Sequence, residues 1–160
     1  METVEYNRAA AFEYAKKWAF RRNPKFYNFD NIGGDCTNFA SQCIYAGAGV
    51  MNFTPTFGWY YIDINNRAPA WTGVEFLYNF LTANDGAGPF AEETGRDKLE
   101  VGDIVQLGTA TGDFYHSPVV VAVRDKNIYV AAHTYDAFMK PLNSYNYARL
   151  RAIHILGVRK

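Results

Sequence analysis

The chain has 160 residues, with 16 basic and 16 acidic side chains, 49% hydrophobic residues and 17% aromatic residues. This length and composition predict one globular domain spanning 1–160 with an aromatic-rich core, and exclude a disordered chain. The charges cancel, so no overall field favours nucleic acid, and no apolar run approaches the roughly 20 residues that span a bilayer.

In chain order, Glu2, Glu5 and Glu13 stand where a secretory leader needs a basic and then an apolar stretch. The chain therefore reads as cytoplasmic as written, or as a mature or excised module of an exported protein. Ala11, Tyr14, Ala15 and Trp18 share one face of a predicted helix over 5–22, ended by Asn23-Pro24. A turn-rich stretch follows, in which Gly33-Gly34 permits an unusual backbone path and Asp35 is a good N-cap. From Cys36, the residues Phe39, Ala40, Cys43 and Gly47 recur at helical spacing. Seven helical steps separate Cys36 from Cys43 by roughly 10.5 Å, too far for a disulfide, which tolerates about 7 Å between Cα atoms. Cys43 is then a small buried apolar residue.

The segment from Phe57 to Trp71 is an aromatic loop with neither strand nor helix periodicity. Thr72-Gly73-Val74-Glu75 has the capping-box pattern and opens a third helix carrying Val74, Leu77, Tyr78 and Leu81. After residue 101 the texture becomes β-rich, with strands at 103–107, 117–123, 127–133 and 151–158. Helices first and strands afterwards predict an α+β domain with an antiparallel sheet.

Cys36 has four readings: a buried spacer, half of a disulfide, a metal ligand or a nucleophile. Behind an Asp35 cap it stands in the first turn of a helix, where unpaired N–H groups and the dipole favour a thiolate. The same N–H groups can receive an oxyanion. A nucleophilic cysteine needs a base, and the chain has three histidines. His116 opens one predicted strand and His133 closes the next. With a two-residue turn at Asp125-Lys126, Arg124 faces Asn127, Pro118 faces His133, and both imidazoles leave the same face of the sheet. His133 would then orient His116, while the rival orienter, Asp136, faces away. A longer turn would reverse that parity.

Asp35-Cys36-Thr37-Asn38-Phe39, then Leu99 and Gly102-Asp103-Ile104-Val105, then His116 and His133 at the strand ends, resemble papain-like bacterial cell-wall hydrolases of the NlpC and CHAP types. More closely, 33–49 and 116–134 are similar to an amidase-domain family of Gram-positive bacteria. The resemblance covers nearly the whole chain. It implies a papain-like fold, with N-terminal helices packed on a small antiparallel sheet or half-barrel. It also implies hydrolysis of a peptidoglycan amide through an acyl-enzyme, without a cofactor. Cys36 takes the nucleophile's place, His116 that of base and acid, and His133 the third, orienting place. The expected activity is an N-acetylmuramoyl-L-alanine amidase of lysin type, with a stem- or cross-bridge endopeptidase as alternative. The expected setting is the cell wall, with a monomeric module acting on peptidoglycan.

Each residue also has a plainer reading. His154, between two isoleucines, is structural. Trp59, Tyr60, Tyr61 and Trp71 are core, or else they line a groove beside the cysteine; Trp59 and Trp71 are the groove candidates. Asn38 is a helix surface residue or a hydrogen-bonding contact to substrate. Tyr27, Asn28 and Asn31 precede Cys36 as candidates for a second oxyanion donor, Tyr27 also as a substrate contact. Zinc accepts thiolate and imidazole, but no fourth ligand accompanies Cys36, His116 and His133, so no metal site is expected. A wall- or peptide-binding module that keeps the groove without the chemistry is the remaining class. The enzymatic reading makes one spatial demand: the Cys36 sulfur must meet an imidazole from the C-terminal half.

Overall fold

The computed structural model describes residues 1–160. The chain opens with a short strand, Thr3–Val4 (β1), followed by helix Arg8–Trp18 (α1). The helix expected over 5–22 is thus trimmed at both ends. Pairing of β1 with the last strand holds the start extended. The side chain of Asn7 then caps α1 by accepting from Ala10 N. At the far end the Trp18 carbonyl accepts from Arg21 N and faces the His133 ring, so the helix stops before Asn23-Pro24.

The second helix, Cys36–Ala48 (α2), begins where its periodicity predicts, and both cysteines lie on it as free thiols. Gly33 and Gly34 take φ of 79° and 97°, the left-handed conformations that let the loop reverse into the helix. Apart from Tyr45 and Ala46, every residue of α2 is buried. A helix apolar enough to be packed all round is a core helix.

The aromatic loop forms a small hairpin, Tyr61–Asp63 (β2) and Asn66–Arg67 (β3), then a single turn, Pro69–Thr72 (α3), and helix Val74–Ala83 (α4). The expected capping box does not form. Gly73 occupies the cap position, Thr72 ends α3, and Glu75 pairs with Arg151 across the sheet. Gly88–Thr94 (β4) is a full strand, where the sequence pattern predicts none. The remaining strands are Ile104–Gly108 (β5), Phe114–His116 (β6), Val119–Arg124 (β7), Asn127–Ala132 (β8), Ala137–Pro141 (β9) and Arg149–Arg159 (β10).

They build one curled, wholly antiparallel half-barrel sheet, in the order β1-β10-β5-β7-β8-β9, with β4 on β10 and β6 on β5. The α+β expectation holds. Side chains alternate between two cores. Ile104, Val119, Val121, Ala131, Ile153 and Ile155 pack with the helices, including Phe39, Cys43, Ile44, Leu77 and Leu81. Val105, Leu107, Val120, Ile128, Val130, Leu142 and Ala152 form a smaller cluster on the opposite face. No helix is long and apolar enough to cross a membrane.

The β7–β8 hairpin decides where the histidines point. Its turn is the expected two-residue one, with Arg124 facing Asn127 and Val123 facing Ile128. Further along, however, Val120 faces Val130 and Val119 faces Ala131, because a bulge at Val121 shifts the register by one residue. Continued outward, that register sets His133 opposite Ser117 and not Pro118. A one-residue slip exchanges the faces of a strand. His116 and His133 therefore leave opposite faces of the sheet, and the co-facing pair expected from the turn alone is not formed.

Candidate active site

Cys36 is the first residue of α2 and is only 8% exposed. Asp35 precedes it at φ −105°, ψ 5° and makes no capping hydrogen bond, contrary to expectation. Its carboxylate is used elsewhere. Oδ1 accepts from Phe29 N (2.8 Å) and Asn38 Nδ2 (2.9 Å), while Oδ2 lies 2.5 Å from His133 Nδ1. The backbone N–H of Asp35 is held by Thr134 Oγ1 at 3.2 Å. With no side chain capping the helix, the first-turn N–H groups stay free of an intrahelical partner and create positive potential at the sulfur.

The sulfur is wedged against the junction of β6 and β7. Its nearest partners are Thr37 Oγ1 at 3.7 Å and the Tyr115 carbonyl oxygen at 4.0 Å. Burial pushes the thiol above the ordinary cysteine range. The Thr37 hydroxyl and the N–H groups of Ser117 and Thr37 oppose that rise. Tyr115 and Ser117 flank His116, so the sulfur meets the peptide on either side of this histidine. It makes no hydrogen bond to an imidazole, so the contact between sulfur and ring that the enzymatic reading demands is not made in this structure.

The His116 ring lies on the other side. His116 pairs with Leu107, a member of the smaller cluster, and its ring packs against Tyr145 with centroids 5.8 Å apart. Burial, helped by the charge of Lys140, pushes its pKa down to about 4. His116 is therefore a neutral imidazole at neutral pH.

His133 occupies the place the sequence reading gave to a neighbour of His116, but serves α2. It is 1% exposed, stacks on Phe39 at 4.0 Å, and lies 2.5 Å from Asp35 Oδ2 and 2.8 Å from the Trp18 carbonyl. Both ring nitrogens face acceptors, so neither is left to orient His116, and the orienting role is corrected on that ground. Asp136 does not fill the vacancy, because it pairs with Arg22 at 2.9 Å.

The aromatic groove is also revised. Trp59 and Trp71 are both 0% exposed, with ring centroids 4.7 Å apart, and are core. Trp59 Nε1 donates to Ser41 Oγ and Trp71 Nε1 donates to Asn38 Oδ1. Asn38, 1% exposed, also donates to the Tyr27 carbonyl and to Asp35, which leaves it no group for substrate. Tyr27 does reach the surface, at 41% exposure. His154 is structural as read, with Nδ1 2.7 Å from the buried Asp103, which Arg8 also pairs. Residues missed by sequence are Thr37 and Ser117, whose hydroxyls lie 3.2 Å apart beside the sulfur. Their only sequence signal is adjacency to Cys36 and His116.

No cluster of three potential metal ligands is present. A surface cavity of about 500 Å³, lined by Phe57, Phe76, Phe80, Asn79 and Asp85 among others, contains none of the residues around Cys36.

Comparison with known proteins adds one decisive match. The family described as "Putative amidase domain" matches residues 5–156. The chain belongs to this amidase-domain family. The match takes in every element from α1 to most of β10, and with them Cys36, His116 and His133. The amidase domain is also 31% identical over 140 residues to the "Uncharacterized protein YhbB" of Bacillus subtilis (strain 168), covering 85% of this chain and 44% of that protein. The chain thus spans less than half the length of this relative. No solved structure matches it. Membership of the family supports amidase-type activity on amide bonds.

Proposed function

We propose that this amidase domain is a cysteine-dependent hydrolase of a peptidoglycan amide, with Cys36 as nucleophile and His116 as proton carrier. The observation that carries the reading is the position of the sulfur. It sits at an uncapped helix start, pressed against the two peptide groups that flank a neutral histidine. In this reading the chain stands beside the papain-like wall hydrolases of NlpC and CHAP type and works at the cell wall as a monomer.

At rest Cys36 is a thiol whose proton points to the Tyr115 carbonyl. As substrate enters, the β6–β7 junction must rearrange so that the His116 ring, now packed on Tyr145 on the far face of the sheet, comes to the sulfur's side and takes the proton. The thiolate attacks the amide carbonyl, and the free N–H groups of the first turn receive the oxyanion. His116 returns the proton to the leaving amine as the C–N bond breaks, which leaves a thioester. Water, deprotonated by His116, hydrolyses it and restores the thiol. The bond assigned is that between N-acetylmuramic acid and L-alanine.

A second reading draws on the separation of sulfur and imidazole: a peptidoglycan-binding module without chemistry. Mass spectrometry of purified peptidoglycan, digested with wild type, Cys36→Ala and His116→Ala, decides between them. Release of free stem peptides by wild type alone supports the amidase. Fragments cut between amino acids point to an endopeptidase. An unchanged substrate that still retains the protein on sedimentation would leave the binding module standing.

A further inference from the structure

We infer that Gln106, Ser117 and Thr37 form a directed hydrogen-bond relay that ends on the Cys36 sulfur and stabilises its thiolate. The inference rests on the reading of Cys36 as nucleophile and deepens it. Its members come from separate parts of the chain. Gln106 lies on β5, Ser117 between β6 and β7, and Thr37 in the first turn of α2. All three are 1% exposed or less.

Donor and acceptor chemistry fixes the first step of the relay, and the proposed direction runs on from it. Gln106 Nε2 can only donate, and it lies 3.3 Å from Ser117 Oγ and 2.9 Å from the Val74 carbonyl. Ser117 Oγ therefore accepts from Gln106, and in the proposed relay its own proton points along the 3.2 Å contact to Thr37 Oγ1. Thr37 Oγ1 accepts from Ser117, and its proton is then directed to the sulfur 3.7 Å away. A hydroxyl that is itself a hydrogen-bond acceptor is a stronger donor, and the low-dielectric interior magnifies the effect. A donated hydrogen bond favours the charged form of its acceptor. The relay thus offsets part of the burial that holds the sulfur protonated.

The other charged and titratable groups around the sulfur do not supply this donor. Asp35 is adjacent and its charge disfavours a thiolate, although Arg22, 3.7 Å away, offsets part of it. From β6, His116 turns its ring to Tyr145. The Tyr115 carbonyl can only accept, so it binds the thiol and not the thiolate. Thr37 is the one side-chain hydroxyl that can follow the sulfur through its change of charge. These three are positioning residues, since none touches substrate in the proposed reaction.

The test is the pH profile of iodoacetamide alkylation at Cys36, read by peptide mass spectrometry in full-length protein with Cys43→Ala as the common background. Thr37→Val keeps the shape and removes the hydroxyl, and should raise the apparent thiol pKa by about one unit or more. Thr37→Ser should restore the wild-type profile. Ser117→Ala should shift it in the same direction by a smaller amount, because Thr37 then loses its donor. Profiles of Thr37→Val and Ser117→Ala that coincide with the background protein overturn the relay. Should Thr37→Val fail to give a native circular dichroism spectrum, Ser117→Ala against the background decides alone. The readout is independent of peptidoglycan cleavage. Shifted profiles in a protein that cuts no amide sustain the relay and sink the hydrolase, and unshifted profiles in an active enzyme do the reverse.

Discussion

His133 and Asp35 form a buried pair in which Nδ1 stands 2.5 Å from Oδ2 and both side chains are 1% exposed. The pair fastens the β8–β9 turn to the start of α2, and the second ring nitrogen fastens the same turn to the end of α1 through the Trp18 carbonyl. This assigns His133 to the architecture around the sulfur. Removal of one member of a buried pair costs about 3–5 kcal/mol. His133→Ala should therefore lower the urea midpoint strongly, in proportion to that loss. A variant with wild-type stability and reduced turnover would instead indicate an orienting role.

His116 makes stability depend on pH. Its pKa is about 4 in the folded chain against an ordinary value near 6.5. Between those values the unfolded chain binds more protons, so stability is full above pH 6.5 and falls as pH drops toward 4. The loss attributable to this group is about 3 kcal/mol. Urea titrations at pH 7 and pH 4 should show a smaller difference for His116→Gln than for wild type. NMR titration of the ring should place its pKa well below 6, and Lys140→Met should move it upward.

The two thiols should differ in reactivity. Cys43 is 0% exposed and burial pushes its pKa well above the ordinary range, whereas Cys36 is 8% exposed and raised less. Iodoacetamide should label Cys36 first, with a rate that keeps climbing above pH 9, because the resting group is a thiol. Equal labelling of both cysteines in native protein would be incompatible with this packing.

Trp71 should prove a stability residue. Trp71→Phe strands the Asn38 Oδ1 acceptor in the core, at a cost of about 1–3 kcal/mol, and leaves the exposed surface unchanged. A fall in thermal midpoint with an unaltered KM for peptidoglycan is expected. A raised KM at unchanged stability would return Trp71 to the substrate groove.

Much of the fold was legible because its signals are local. The 3.6-residue period placed the start of α2 at Cys36, and the turn residues Asp125-Lys126 placed the β7–β8 hairpin to the residue. The site was less legible because it depends on a single extra residue. Val121 looks like any valine in a valine-rich run, yet its bulge reverses the face on which His133 emerges. Asp35 shows the same limit. It has the residue type and position of a cap, but competing donors from Phe29, Asn38 and His133 claim its oxygens. Periodicity cannot rank partners that lie a hundred residues apart. Likewise, β4 has few strand-forming residues and is a strand because β10 offers it an edge.

Asp35 joins segments that fold from distant parts of the chain: the loop at Phe29, the first turn of α2, the turn at Thr134 and the ring of His133. Helix ends normally fray ahead of the rest of a protein. Here the sulfur-bearing end of α2 cannot loosen by itself, since its ties to the Phe29 loop, to Thr134 and to His133 must release with it. Amide hydrogen exchange at Phe29 and Asp35 should consequently proceed only through global opening, which makes the segment around Cys36 as slow to exchange as the centre of the sheet.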